Sequence, residues 1–285
     1  IMFMKEDRYN LGEFFYGMDF LLYKYRPDSE QEKHQLVLGD PNQVEQIWRN
    51  GNSSIAAFAW IFDEVQPSST TLLIADGLNK CIRHYDYKTD LVSTLIGSCA
   101  GFREAVKIFP PLTLYRTASA NQTTLGTVTS IALVESTTSL LLSDYGQGTI
   151  LKYDFDTELV SLLAPINSLP ESGDLLLNPE ETKVYVSFAK GISFVSLATG
   201  IIKPLIEGNH PNIIPGGFTE AKMRRLDSLS WLVPGKVIMG IPYHTDVNTS
   251  STGLVTIDLE LEVVSLHCAG MYQKQQQRDL DRLVL

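Results

Sequence analysis

The chain's candidates for metal chemistry are its five histidines, His34, His84, His210, His244 and His267. A bound zinc takes three or four ligands, often announced by local pairs such as His-x-x-x-His or Cys-x-x-Cys. None of the five falls into such a spacing, so distant segments would have to converge on any metal. Asp76 and Asn79 form a second candidate pair. Side chains of this kind more often cap their own turn by bonding nearby backbone N–H groups, and that is the use expected here. Asp144 occupies the matching place in a second segment without an Asn partner. Nucleophilic catalysis has no signature: there is no Gly-x-Ser-x-Gly elbow and no Ser/His/Asp order to single out. Gly146-Gln147-Gly148 resembles part of a phosphate loop but stands between strands, not before a helix, and reads as a turn. On these grounds no catalytic residue, metal ligand or cofactor is assigned.

Binding chemistry is better represented. Arg224-Arg225, with Lys222, is the densest basic cluster in an acidic chain. Tyr115-Arg116 and Tyr243-His244 stand in two other long connections, and Tyr and Arg are residue types that often dominate interface energy. These six residues are the candidate protein-binding set, with the arginine pair ranked first. Three Asn-x-Ser/Thr triplets begin at Asn52, Asn121 and Asn248, all in polar stretches where a glycan has room. Cys81 and Cys99 stand on or beside neighbouring strands of one hairpin. Pairing about Lys88-Thr89 sets Cys81 opposite Ile96, which leaves two readings open: a disulfide, or two small buried thiols.

Composition limits the partners. The 285 residues are 44% hydrophobic and 20% charged, ordinary for a globular protein with a core. A net charge of −10 opposes nucleic-acid binding, which depends on basic side chains displacing counterions. No apolar run is long enough to span a bilayer, so membrane contact is expected only through chain not shown. The opening Ile1-Met2-Phe3-Met4 and closing Leu283-Val284-Leu285 suggest a piece of a longer protein. With the sequons, this gives an expected location outside the cell or in the secretory lumen.

The elements that position these residues come from a repeat. Leu72 to Asp86, then Leu91 to Gly97, match Leu140 to Asp154, then Leu159 to Leu163, nearly position for position. Each copy reads as an apolar strand, an Asp-Gly-type turn, an alternating strand ending in Tyr-Asp, a polar turn, and a strand carrying Leu-Val-Ser. Weaker copies run over 184–206, 237–266 and 13–39, and an extra apolar strand precedes most copies, at 57–61, 128–133, 174–177 and 229–232. Four short strands per unit, closed by Asp/Gly/Asn/Pro turns, describe a propeller blade. No stretch holds a helical period. The predicted fold is therefore all-β: a single propeller domain over 1–285 with four-stranded antiparallel blades. Five units are visible, with Arg278 to Leu285 available to open a sixth or to close the ring.

Ile74-Ala75-Asp76-Gly77-Leu78-Asn79-Lys80-Cys81-Ile82-Arg83, followed by Val92-Ser93-Thr94-Leu95-Ile96-Gly97, resembles an NHL repeat. Gly101-Phe102-Arg103-Glu104-Ala105 and Gly217-Phe218-Thr219-Glu220-Ala221 are similar to that family's inter-blade connection. The likeness covers 55–165. It implies either a non-catalytic interaction propeller or a metal-dependent enzyme of lyase or lactonase type, with zinc held by histidines in the central channel. An RNA-binding member of the family is opposed by the acidic charge. The expected function is a non-catalytic extracellular propeller that binds a protein or structures a larger ectodomain.

Overall fold

The computed structural model describes residues 3–29, 32–43, 48–99, 117–207, 214–221, 226–242 and 253–268. It is an all-β propeller of five blades in a ring. Blade one is β1 (Phe3–Glu6), β2 (Phe14–Met18), β3 (Leu21–Tyr25) and β4 (His34–Leu38). Blade two is β5 (Ile61–Ser68), β6 (Thr71–Asp76), β7 (Cys81–Asp86) and β8 (Leu91–Ile96). A short strand, β9 (Ala118–Ser119), precedes blade three, which is β10 (Val128–Val134), β11 (Ser139–Asp144), β12 (Thr149–Asp154) and β13 (Leu159–Leu162). Blade four is β14 (Leu175–Leu177), β15 (Lys183–Phe188), β16 (Gly191–Ser196) and β17 (Ile202–Glu207). After β18 (Gly216–Gly217), blade five is β19 (Leu226–Val233), β20 (Val237–Pro242), β21 (Gly253–Asp258) and β22 (Val263–Cys268).

Every pairing is antiparallel, and the first strand of each blade lies innermost. Period-two alternation drives the assembly, because successive side chains leave a strand on opposite faces. On β6, Leu72 and Ile74 enter a cluster with Phe15 and Leu22 of blade one, while Leu73 and Ala75 enter a cluster with Ile131 and Leu140 of blade three. On β11, Leu140 and Leu142 face blade two while Leu141 faces Val184 and Val186 of blade four. A fourth cluster joins Tyr185 and Ile192 to Leu229 and Ile238 across the next seam. The core is thus a set of seams between sheets. No blade can bury its apolar faces alone.

The polar turns repeat as well. The turn between third and fourth strands ends in a left-handed residue at Asp90 (φ 52°), Glu158 (φ 56°), Gly200 (φ 67°) and Glu262 (φ 54°). In three blades the aspartate that opens this turn, Asp86, Asp154 or Asp258, accepts N–H groups two or three residues on. Side-chain turn-making of this kind lets a non-glycine residue occupy the strained position.

Three details differ from the sequence-based expectation. The innermost strand of blade two begins at Ile61, and Ala57 instead bridges to Arg49 in the incoming connection. The innermost strand of blade one, β1, lies ahead of the unit read from 13–39. Ile82, not Cys81, pairs with Ile96, because a register shift between Ile82 and Arg83 moves the hairpin by one residue. The segment 278–285, a candidate sixth-blade strand, lies outside the described residues.

Candidate functional site

The innermost strands carry a chain of polar contacts that passes through all five blades. Asp63 on β5 is 2% exposed, and four donors surround its carboxylate. Oδ1 accepts from Lys5 Nζ of blade one at 2.5 Å and from its neighbour Glu64 N–H at 2.8 Å. Oδ2 accepts from Ser130 Oγ at 2.8 Å and Ile131 N–H at 2.9 Å, both on blade three. Ser130 Oγ also lies 2.7 Å from Asp174 Oδ1 of blade four and accepts Leu175 N–H at 3.2 Å. Asp174 accepts Leu175 N–H at 2.9 Å on Oδ1 and Leu229 N–H of blade five at 2.7 Å on Oδ2.

One structural device makes this chain. Asp63, Ser130 and Asp174 occupy the same register position, opposite Ala75 and Ser143 in blades two and three and just before β14 in blade four. A register shift immediately precedes Asp63 and Ser130, and bulges of this kind re-aim a side chain. From that position each acceptor takes one N–H from the innermost strand of the next blade. The ties therefore set the angular spacing of the blades.

Electrostatics follow from burial. Burial works against the Lys5 ammonium, but Asp63, Asp174 and Glu64 outweigh it and hold its pKa above the ordinary lysine value. Protein encloses Lys5, yet 38% of its side chain still meets water, which makes the cluster solvent-accessible. Burial and the charge of Asp63 raise Asp174 to about 6, against the opposing pull of Lys5. Glu64 is 2% exposed, and its Oε2 has no hydrogen-bond partner among the described residues. Burial pushes Glu64 up to about 8, so this carboxyl is mostly neutral at pH 7.

A polar cleft opens beside this cluster at the seam of blades one and two, with a volume of about 430 Å³. Asp7, Phe15, Lys24, Gln66, Tyr85 and Tyr87 are among its lining residues. Lys24 Nζ lies 2.5 Å from both Asp7 Oδ2 and Glu13 Oε2, so two carboxylates hold its charge. Burial works to raise Asp7, but Lys24, Asn10 and Tyr9 N–H prevail and hold it below the usual carboxylate range. Above the cleft, the β1–β2 loop lies across β5, where Gln66 Oε1 accepts Arg8 N–H, and reaches blade three through an Arg8–Glu135 ion pair. Glu181 of blade four in turn accepts the N–H groups of Glu135 and Ser136.

Asp76 and Asn79 are structural. Asp76 accepts Ala59 N–H at 2.8 Å, Asn79 Nδ2 at 2.8 Å and Arg83 Nη1 at 3.2 Å, all buried. Arg83 also donates to Ala57 O, Arg49 O and Asn50 Oδ1 and so fastens the whole incoming connection to blade two. Asp144 plays the same part with Gly126 N–H, while Gln147 takes the place of Asn79.

The described histidines stand apart. His34 is on β4 beside Tyr16, His84 is on β7, and His267 is on β22 against Thr256. None is on an innermost strand, and no group of three His, Cys, Asp or Glu among the described residues could hold a metal ion. Cys81 and Cys99 are bonded, with Cα atoms 5.0 Å apart. Asn52 and Asn121 are exposed and occupy matching places at the rim. Gly51 bridges to Val92 on the outermost strand of blade two, and Ser119 pairs with Leu159 on that of blade three. Arg224, Arg225, Tyr115, Arg116, Tyr243, His244 and Asn248 lie outside the described residues.

Sequence reading missed Lys5, Asp63, Ser130 and Asp174. The available signal was an acidic residue heading or interrupting an apolar strand, as in Asp63-Glu64 and Asp174-Leu175-Leu176-Leu177.

No family model matches the chain, and no curated protein matches it. Solved structures do. Hydrazine synthase of Kuenenia stuttgartiensis aligns with a TM-score of 0.50 at 11% identity, over 73% of this chain and 49% of that one. The extracellular domain of a proposed hybrid two component system from B. thetaiotaomicron aligns at 0.53 and 11% identity, over 94% of this chain and 28% of that one. The extracellular domain of a proposed one component system from the same organism aligns at 0.51 and 12% identity, over 92% of this chain and 27% of that one. The chain spans between about a quarter and a half of the length of these structures. At such identities the likeness shows the fold alone.

Proposed function

We propose that the chain is an extracellular or lumenal propeller, without catalysis of its own, that binds a protein through loops on one face. The observation that carries this reading is how the axial polar groups are used. Asp63, Ser130 and Asp174 bond to one another, to Lys5 and to backbone N–H groups of the next blade. A centre committed to holding blades together leaves recognition to the connecting loops, where sequence can vary without cost to the core. The Cys81–Cys99 bond supports an oxidising compartment, because structural disulfides persist there and are rare in the cytosol. Glycans at Asn52 and Asn121 would project from the rim and leave both faces open. The NHL-like pattern of 74–97 fits such a module.

The test is an Arg224→Glu/Arg225→Glu double variant of the secreted protein, with partner capture from a secretory-pathway library as the readout. Binding should fall at least tenfold while thermal unfolding stays unchanged. Unaltered binding would overturn the choice of patch. Stoichiometric zinc by elemental analysis, together with turnover of a substrate, would overturn the non-catalytic reading.

A further inference from the structure

Ser130 presents a problem of proton counting. Its Oγ lies 2.8 Å from Asp63 Oδ2 and 2.7 Å from Asp174 Oδ1, and a hydroxyl carries one hydrogen. It can donate to one carboxyl only. The second contact needs a hydrogen from the other side. Asp63 is the wrong source, because the Lys5 ammonium and Glu64 N–H already donate to one of its oxygens and Ile131 N–H to the other, a set that suits a carboxylate. Asp174 has only backbone N–H groups besides Ser130.

We infer that Asp174 carries a proton which it donates to Ser130, that Ser130 donates to ionised Asp63, and that losing this proton loosens the joint between blades three and four. The arrangement then balances. Ser130 Oγ accepts from Asp174 and Leu175 N–H and gives its own hydrogen to Asp63, while Lys5 neutralises Asp63. When the proton leaves for solvent, two carboxylates face one hydroxyl, and one contact becomes a repulsion. Partial exposure of Lys5 shows that water reaches the cluster.

The charged groups around Asp174 are accounted for element by element among the described residues. Asp63 faces it from β5 and Lys5 from β1, the first opposing ionisation and the second favouring it. β10 contributes the neutral Ser130 and β19 the Leu229 N–H. β15 contributes Ser187, whose Oγ accepts Asp174 N–H. Glu64, which neighbours Lys5, is pushed up to about 8 by burial and is mostly neutral over this range. The folded pKa is raised, so the stabilisation is full below the unfolded value of 3.8 and is lost as pH rises through about 6. The device holds the ring tighter in mild acid than at neutral pH.

Asp174→Asn supplies a permanent hydrogen to Ser130 from Nδ2 and keeps an oxygen for Leu229 N–H, while Leu175 N–H retains Ser130 Oγ. In the full chain, the fall in thermal midpoint between about pH 4 and about pH 7 should become shallower than in wild type by a few degrees. The variant's midpoint should match or exceed that of wild type at the upper end. An unchanged pH profile would overturn the inference. Should the variant fail to fold, the Asp174 carboxyl carbon of the wild-type chain can be followed by NMR during titration. A midpoint above pH 5 supports the shared proton, and one at or below the unfolded value of 3.8 overturns it.

Discussion

Arg83 shows how one side chain can decide whether a connection is ordered. It is fully buried, pairs with Asp76 and holds three acceptors in residues 49–57. Its guanidinium also lies 5.3 Å from the centroid of the Phe58 ring. Burial raises Asp76 to about 6 against the pull of Arg83, and burial likewise lowers Arg83 against the pull of Asp76. Both partners therefore meet a desolvation penalty that their mutual contact offsets, helped by Ala59 N–H and Asn79 at Asp76 and by the three acceptors at Arg83. Removing one leaves the other charged in a dry place. Arg83→Met should destabilise the chain by roughly 3–5 kcal/mol. A loss of unfolding free energy in urea of less than a third of that would show that water or a neighbour replaces the guanidinium. The Asp76–Asn79 pairing was legible from spacing, since local capping follows from residue types three apart. Arg83 was quoted only as part of the repeat, because its acceptors lie about thirty residues upstream, out of reach of any local pattern.

At the scale of elements, strands two to four of blades two and three could be read directly, since period two and the Tyr-Asp turn repeat there. The innermost strands were harder. In blade two, β5 carries the buried Asp63-Glu64 pair, and in blade four Asp174 heads β14, so polarity interrupts the apolar pattern where the blade ties are made. The fifth strands of blades three and five were invisible: β9 and β18 are two residues each and exist only because an outer edge accepts them. Pairing that edge with the incoming connection also blunts it against aggregation. The disulfide acts on the same kind of connection. It links β7 of blade two to the segment that leaves β8, with a sequence separation of 18. Closing a loop of that length restricts the unfolded chain by about 3 kcal/mol. A Cys81→Ala/Cys99→Ala variant should lose stability of that order. Unreduced wild type in denaturant should show one reactive thiol, because Cys268 is the remaining cysteine. Three reactive thiols without reductant would show that the bond is absent from the protein as made.

Across the whole molecule, two populations of carboxyl groups pull stability in opposite directions with pH. Glu64, Asp76 and Asp174 are enclosed between blades and hold their protons too tightly, at about 8, about 6 and about 6. Their folded values exceed their unfolded ones, so each contributes stability that is present in acid and disappears as pH rises through those values. Asp7, Asp90 and Glu181 are the converse. Despite some burial, Lys24 holds Asp7, Ser53 and Tyr85 hold Asp90, and the N–H groups of Ser136 and Glu135 hold Glu181, each below its ordinary pKa. Their contribution is present above the unfolded values of 3.8 and 4.5 and disappears as pH falls through the lower folded ones. Net charge adds to the alkaline side. At −10 the compact chain repels itself at neutral pH, and the repulsion fades toward the pI near 5.0. Maximum stability should therefore lie near pH ~5, with a long decline toward pH ~8 and a steeper one below ~4. Thermal unfolding of dilute protein across that range measures it. High salt separates the two causes of the alkaline decline, since it screens surface repulsion but not the groups between blades. A decline abolished by salt would mean that the buried carboxyls ionise without consequence. Stability that climbs steadily to pH ~8 would mean that they do not hold their protons in the folded ring at all.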